Sequence, residues 1–221
     1  MKKIITIITI IIVVIIAFFI KFNYKKIKFG NNISIKSADD VKNYILGIGS
    51  YEATFKVEIN SNKNNNSYLI KEQYVKENGI YKQEVLEPEN IKGLKTVYDG
   101  SSLKIENSNI NLNKIYENYQ CIGDNLLSLS AFIDDFLDSG ENKVTEDENE
   151  IILETSAKNG NKYINHKKLY IDKKTSKPTK MEIQDVTQKN TIYILYNEIK
   201  INNLQKEDVL AFKLDQIEDD I

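Results

Sequence analysis

Leu169-Tyr170-Ile171-Asp172, Lys173-Lys174-Thr175-Ser176-Lys177-Pro178 and Lys180-Met181-Glu182-Ile183-Gln184-Asp185 read in order as strand, turn and strand. Pro178 has no N–H and a fixed φ, so it suits a hairpin loop and would damage the middle of a central strand. Apolar and polar residues alternate from Lys180 to Gln184, the period of a sheet that is wet on one face. The connection is too short for a crossover, which makes the pair antiparallel. A third run, Thr191-Ile192-Tyr193-Ile194-Leu195-Tyr196-Asn197, continues the pattern, and Ile201-Asn202 follows it.

Further upstream the same period recurs. Tyr51, Ala53, Phe55, Val57 and Ile59 alternate with Glu52, Thr54, Lys56 and Glu58, and this is the cleanest strand in the chain. Tyr68, Ile70 and Tyr74 mark a second strand, and a third runs from Gly79 to Val85. Tyr98-Asp99-Gly100-Ser101 is the turn of a hairpin. Strands are also expected over 151–155 and 162–171, joined by Lys158-Asn159-Gly160-Asn161. Residues 141–150 read as an acidic loop.

Two helices interrupt this meander. Ser37 caps one from Ala38 to about Leu46, with Asp39 and Asp40 in its first turn and Gly47 at its end. Leu126, Leu127, Leu129, Phe132, Ile133, Phe136 and Leu137 recur at helical spacing, with Asp124 as the expected cap and Gly140 as the stop. Asp134 and Asp135 fall off the apolar stripe, on what reads as a solvated face. The fold expected is α+β: a curved antiparallel sheet forming an unclosed half β-barrel, covered by two or three helices.

The amino-terminal part is not globular. Residues 4–20, from Ile4 to Ile20, carry only Thr6 and Thr9 as polar members and lie between Lys2-Lys3 and the basic flank Lys21, Lys25, Lys26 and Lys28. As a helix this run would rise about 25 Å, the short end for a bilayer span that snorkelling lysines extend. With no small-residue cleavage site and no cysteine there for lipidation, it reads as an uncleaved signal-anchor over residues 1–28, followed by a linker over 29–36 and one domain over 37–221. Lysines lie on both sides of the segment, so the positive-inside rule does not fix its orientation.

Without residues 1–28 the chain keeps 24 lysines against 32 acidic residues, a net charge of about −8. Such a domain has no general attraction for nucleic acid. No arginine is present, which removes the residue best suited to bidentate phosphate or carboxylate recognition. Cys121 is the single cysteine, so no internal disulfide exists. His166 is the single histidine, too few for zinc or triad chemistry. Residues 146–150 lack the ligand spacing of an EF-hand, and no Walker A loop, dinucleotide fingerprint or serine elbow occurs. No cofactor or metal is expected. What remains is an apolar face: Phe55, Val57, Tyr68, Ile70, Tyr81, Val85, Leu169, Ile171, Met181 and Ile183 either line the concave side of the sheet as a groove or pack against the helices.

The order of strands after residue 169 resembles the return strands of the LolA/LolB-like lipoprotein-carrier superfamily. The central motifs sharpen the likeness. Residues 81–94 (YKQEVLEPENIKGL), 98–100 (YDG), 103–107 (LKIEN) and 114–119 (KIYENY) are similar to the clostridial, GerS-like germination branch of that superfamily, and the resemblance covers about residues 37–215. It implies a non-enzymatic extracytoplasmic protein of spore-formers. In that branch the germination lipoprotein binds a cortex-modifying N-acetylmuramoyl-L-alanine amidase, CwlD, and permits muramic-δ-lactam formation. Here no lipobox cysteine is present, so a transmembrane anchor takes the place of the lipid and the expected location is single-pass in the cell membrane with the domain outside. Three functions follow: a partner or activator of a CwlD-like cell-wall amidase, a binder of an acyl chain or lipoprotein on the concave face, or, least supported, a hydrolase using the acids of 141–150.

Overall fold

A computed structural model describes residues 37–60, 65–119 and 126–211. The signal-anchor, the linker, Cys121 and Asp124 lie outside the described residues. Among the described residues no helix is long and apolar enough to cross a membrane.

Among the described residues eleven strands form one antiparallel sheet: β1 (Ser50–Asn60), β2 (Asn65–Val75), β3 (Ile80–Glu87), β4 (Lys95–Tyr98), β5 (Leu103–Asn107), β6 (Leu112–Tyr116), β7 (Lys143–Glu146), β8 (Glu150–Asn161), β9 (Ile164–Asp172), β10 (Pro178–Gln184) and β11 (Asn190–Ile201). Their spatial order is β6-β5-β4-β3-β2-β1-β11-β10-β9-β8-β7. The first strand therefore pairs with the last, and β6 and β7 remain as two unjoined edges. The sheet is an open β-barrel, accompanied among the described residues by three helices, α1 (Ala38–Leu46), α2 (Leu129–Asp138) and α3 (Lys206–Leu210).

Alternation decides which face is dry. Across the register, Tyr68, Val57, Ile194, Met181, Leu169 and Leu153 stand opposite one another on six consecutive strands, so one rung of the inner face is apolar from β2 to β8. The intervening residues turn outward into a charged layer. There Lys71 lies 3.2 Å and Lys200 3.5 Å from Glu52, and Lys168 lies 3.0 Å from Glu154. A one-residue slip would exchange these two layers, and that penalty fixes the register.

The helices close the inner face unevenly. In α1 the Ser37 hydroxyl accepts the Asp40 N–H at 3.2 Å, and Val41 and Ile45, one turn apart, are buried. α2 lies mainly on β8 and buries Leu129, Phe132, Ile133 and Phe136. α3 instead packs Val209 against Val75 and Ile80, which point away from the face carrying Tyr74 and Tyr81.

Several local expectations need correction. The cap of α2 is Ser128, whose Oγ accepts the Ala131 N–H at 3.0 Å; Leu126 and Leu127 belong to the preceding turn. The acidic segment 141–150 is not all loop, because β7 forms within it by pairing with β8. β6 is a strand where the sequence pattern gave no alternation. β8 continues through Asn161, so the β8–β9 turn lies at Lys162-Tyr163, with the Asn161 side chain accepting the Tyr163 N–H at 2.8 Å. Pro178 opens β10, a central strand, at the one position where its missing N–H is tolerated.

Asp135 is the largest departure. It is buried with its carboxylate 2.6 Å from the fully buried Lys167 ammonium, and it also accepts the Lys158 N–H at 3.0 Å. Its neighbour Asp134 is exposed as expected.

Candidate functional site

All ten residues proposed for an apolar groove share the inner face. Phe55, Val57, Leu169, Ile171, Met181 and Ile183 are at most 3% exposed and form core. Tyr68, Ile70, Tyr81 and Val85 are half-buried and lie together on β2 and β3. The apolar face is thus sealed over the β8–β11 half and only partly covered over β2–β3.

A cavity of about 240 Å³ occupies that second half. Tyr74, Tyr81 and Tyr98 form its floor, part of a tyrosine rung in which Tyr51, Tyr74, Tyr81 and Tyr98 are register neighbours on β1 to β4. Tyr51 and Tyr74 have ring centroids 5.3 Å apart, Tyr81 and Tyr98 5.7 Å, and Tyr119 meets Tyr98 edge-on at 6.3 Å. The roof is the start of α2, from Ser128 to Asp134, and the end wall is the β2–β3 turn at Asn78-Gly79. Gly100 packs against that wall: its φ is +100°, and a Cβ there would stand 3.0 Å from the Asn78 Cβ, so a substitution would be strained.

One rung further in, Ala53 faces Glu72, which faces Gln83. Glu72 is 2% exposed; the Tyr51 hydroxyl donates to one carboxylate oxygen and the Gln83 amide to the other. Burial holds the Glu72 carboxyl above the usual range, partly offset by those two donors. Burial, and then the neighbouring Glu72 charge, pushes the Tyr51 and Tyr196 hydroxyls up. The Ser130 N–H donates to the Tyr51 oxygen at 3.4 Å, which links helix, tyrosine and acid in one chain.

Of the ten sequence-proposed residues only Tyr81 lines this cavity. Glu72 was legible as the one acid at an inward position between Ile70 and Tyr74, where alternation calls for an apolar side chain. The loop acids do not assemble: Asp147 is a turn residue whose carboxylate accepts the Asn149 and Glu150 N–H groups at 2.9 and 2.8 Å. His166 stands on the charged outer layer, 3.5 Å from Glu154. Among the described residues no group of three His, Cys, Asp or Glu side chains is arranged to hold a metal ion.

A family model described as sporulation protein YdcC-like matches residues 1–210. The chain belongs to this family. A search of curated proteins gives no match. Among solved structures, the YdcC-like chain is similar to an uncharacterized conserved protein from Thermus thermophilus, at 14% identity over 81% of this chain and 96% of that one, with a TM-score of 0.52; this likeness concerns the fold alone. It is also similar to a chain of the complex between the CwlD amidase and the GerS lipoprotein of Clostridioides difficile, at 28% identity over 72% and 91% with a TM-score of 0.47. A LolA superfamily protein from Nitrosomonas europaea matches at 12% identity over 80% and 98%, with a TM-score of 0.41. The YdcC-like chain shares its fold with that Thermus protein.

Proposed function

We propose that this chain is a membrane-anchored, non-enzymatic binding protein of sporulation and germination, single-pass in the cell membrane with residues 37–221 outside the cytoplasm, and that its partner is a CwlD-like cell-wall amidase. Membership of a sporulation family supports the setting. The observation that carries the mode of action is where the motifs fall. Residues 81–94, 98–100, 103–107 and 114–119, which bear the resemblance to the germination branch, fold into β3–β6. That end of the sheet leaves Ile110, Ile115 and Tyr116 49–61% exposed. Exposed apolar side chains gathered at one edge are the mark of a protein contact surface.

Affinity purification of the tagged full-length protein from sporulating cells tests the partner. Enrichment of a cell-wall amidase, with loss of cortex muramic-δ-lactam on deletion of the gene, is the expected result; no amidase together with normal lactam rejects the reading. Carbonate extraction followed by intact-mass analysis tests the anchor, and a mature chain beginning beyond residue 20 would remove it.

A second reading, an acyl-chain or lipoprotein binder, draws support from the half-buried Tyr68, Ile70, Tyr81 and Val85. Native mass spectrometry after mild extraction would then detect bound lipid.

A further inference from the structure

One amine and one carboxylate meet where water hardly reaches. The Lys167 side chain is 0% exposed and that of Asp135 8%, and Lys167 Nζ lies 2.6 Å from Asp135 Oδ2. The lysines that meet Glu52 and Glu154 on the outer layer are open to solvent, Lys71 at 42% and Lys168 at 28%. Oδ2 is one bond of about 1.2 Å from Cγ, so the lysine nitrogen stands within about 4 Å of the carboxyl carbon. That is close to the roughly 3–3.5 Å of a near-attack contact.

Both groups are held in place. The Ser139 N–H and the Thr155 hydroxyl donate to the Asp135 backbone carbonyl at 2.9 and 3.3 Å, and Lys167 sits on β9, between β8 and β10. The Lys158 N–H donates to Asp135 Oδ1 at 3.0 Å, where negative charge would gather if the carbon were attacked. Keeping two full charges in a dry interior is costly, and an amide in their place removes that cost.

We propose that Lys167 and Asp135 condense to an intramolecular amide, a covalent cross-link between β9 and α2. The Nζ lone pair attacks Asp135 Cγ while the Lys158 N–H holds the charge on Oδ1. The Cγ–Oδ2 bond then breaks, and Oδ2 leaves as water with two protons that come from the ammonium. Ammonium and carboxylate thus become amide and water; nothing is oxidised or reduced, and no co-reactant is consumed. The bond ties the helix to the sheet beneath it in a chain whose single cysteine, Cys121, excludes an internal disulfide. It does not depend on the amidase partnership, and it stands or falls by itself.

Intact mass spectrometry of the full-length protein under denaturing conditions is the test. The expected mass is one water below that of the sequence counted from its observed first residue. Proteolysis should release a branched peptide that joins the segment around Asp135 to the segment around Lys167. Lys167→Met and Asp135→Ala should each show the full mass of their own sequence. Asp138→Ala, which breaks only the exposed pair with Lys158, should keep the water loss. A native mass equal to that of the sequence, a water loss that maps to other residues, or one that persists in Lys167→Met would each overturn the assignment. The branched peptide of the native protein decides the matter even if Lys167→Met fails to fold.

Discussion

The Lys167 ammonium on β9 stands 2.6 Å from the Asp135 carboxylate on α2, and both groups are buried. Lys167 faces Thr155 across β8 and β9, and the Thr155 hydroxyl donates to the Asp135 carbonyl at 3.3 Å. The pair therefore fixes the rotation of α2 over the sheet at the point where the aliphatic rungs give way to polar residues. A buried pair of this kind contributes little net stability compared with an apolar replacement, but it is costly to break from one side.

Lys167→Met should accordingly lower unfolding stability by about 3–5 kcal/mol, because the Asp135 charge is left buried without its cation. The double variant Asp135→Leu with Lys167→Met should lose much less than the sum of the two singles, since only the half-buried Lys158 N–H then needs a new acceptor. Urea denaturation of the four proteins in a double-mutant cycle measures the coupling. Strict additivity would mean that the two side chains do not interact.

Glu72 should make stability fall as pH rises. Burial, its largest influence, raises the folded-state pKa above that of the unfolded chain, so folding holds the proton more tightly. Its contribution is fully present below the ordinary glutamate value of about 4.3 and is lost as pH climbs through the raised value. Glu72→Gln still offers an oxygen to the Tyr51 hydroxyl but does not titrate. The stability of the variant relative to the native protein should therefore improve with pH across that window, as read from denaturation midpoints at a series of pH values.

Asp172 should behave in the opposite sense. The Thr175 hydroxyl and N–H both donate to it at 2.7 Å and hold its carboxyl below the usual range. Its contribution is present above about pH 3.9 and disappears as pH falls through the depressed value. Asp172→Asn keeps an acceptor in the turn while removing the titration, so the acid-side loss of stability should be shallower in the variant.

The strands legible in the sequence are those in which a wet and a dry face alternate cleanly, as in β1 and β10. β6 and β7 were not, because edge strands of five and four residues expose both faces and carry no period to read. α1 was legible from its cap and its stop residue. In α2 the apolar stripe was legible but its start was not, since Leu126 and Leu127 extend the stripe into a turn and only the bond from Ala131 to Ser128 marks the true beginning. Asp135 and Lys167 are 32 positions apart in sequence, and nothing local announces that two charged residues will meet inside. The cavity was hidden for a related reason: its tyrosines alternate like core residues, and the register alone brings three of them beneath a helix start.

Ser128→Ala should cost about 1 kcal/mol, since the Ala131 N–H loses its acceptor at the buried start of α2. Ser128→Asp, which keeps a side-chain oxygen there, should recover part of that loss. Thermal unfolding followed by circular dichroism distinguishes the two, and equal effects would assign the role of Ser128 to packing alone.

The ten residues of the inner apolar face should divide by energy as they divide by exposure. Leu169 and Met181 are completely buried and lie on the continuous rung from Tyr68 to Leu153. Truncating either to alanine removes the transfer free energy of its methylenes and leaves a cavity that the sheet cannot collapse, at a cost of about 2–5 kcal/mol. Val85 is half-buried on β3, so Val85→Ala loses fewer contacts and leaves a space that water can enter. Its cost should stay below about 1 kcal/mol, in keeping with about 25 cal/mol per Å² of apolar surface for a side chain only partly withdrawn from water. Urea midpoints for the three variants decide the matter. A Val85→Ala loss as large as that of Leu169→Ala would place β3 in the sealed core, and would leave no partly covered surface there for an acyl chain to occupy.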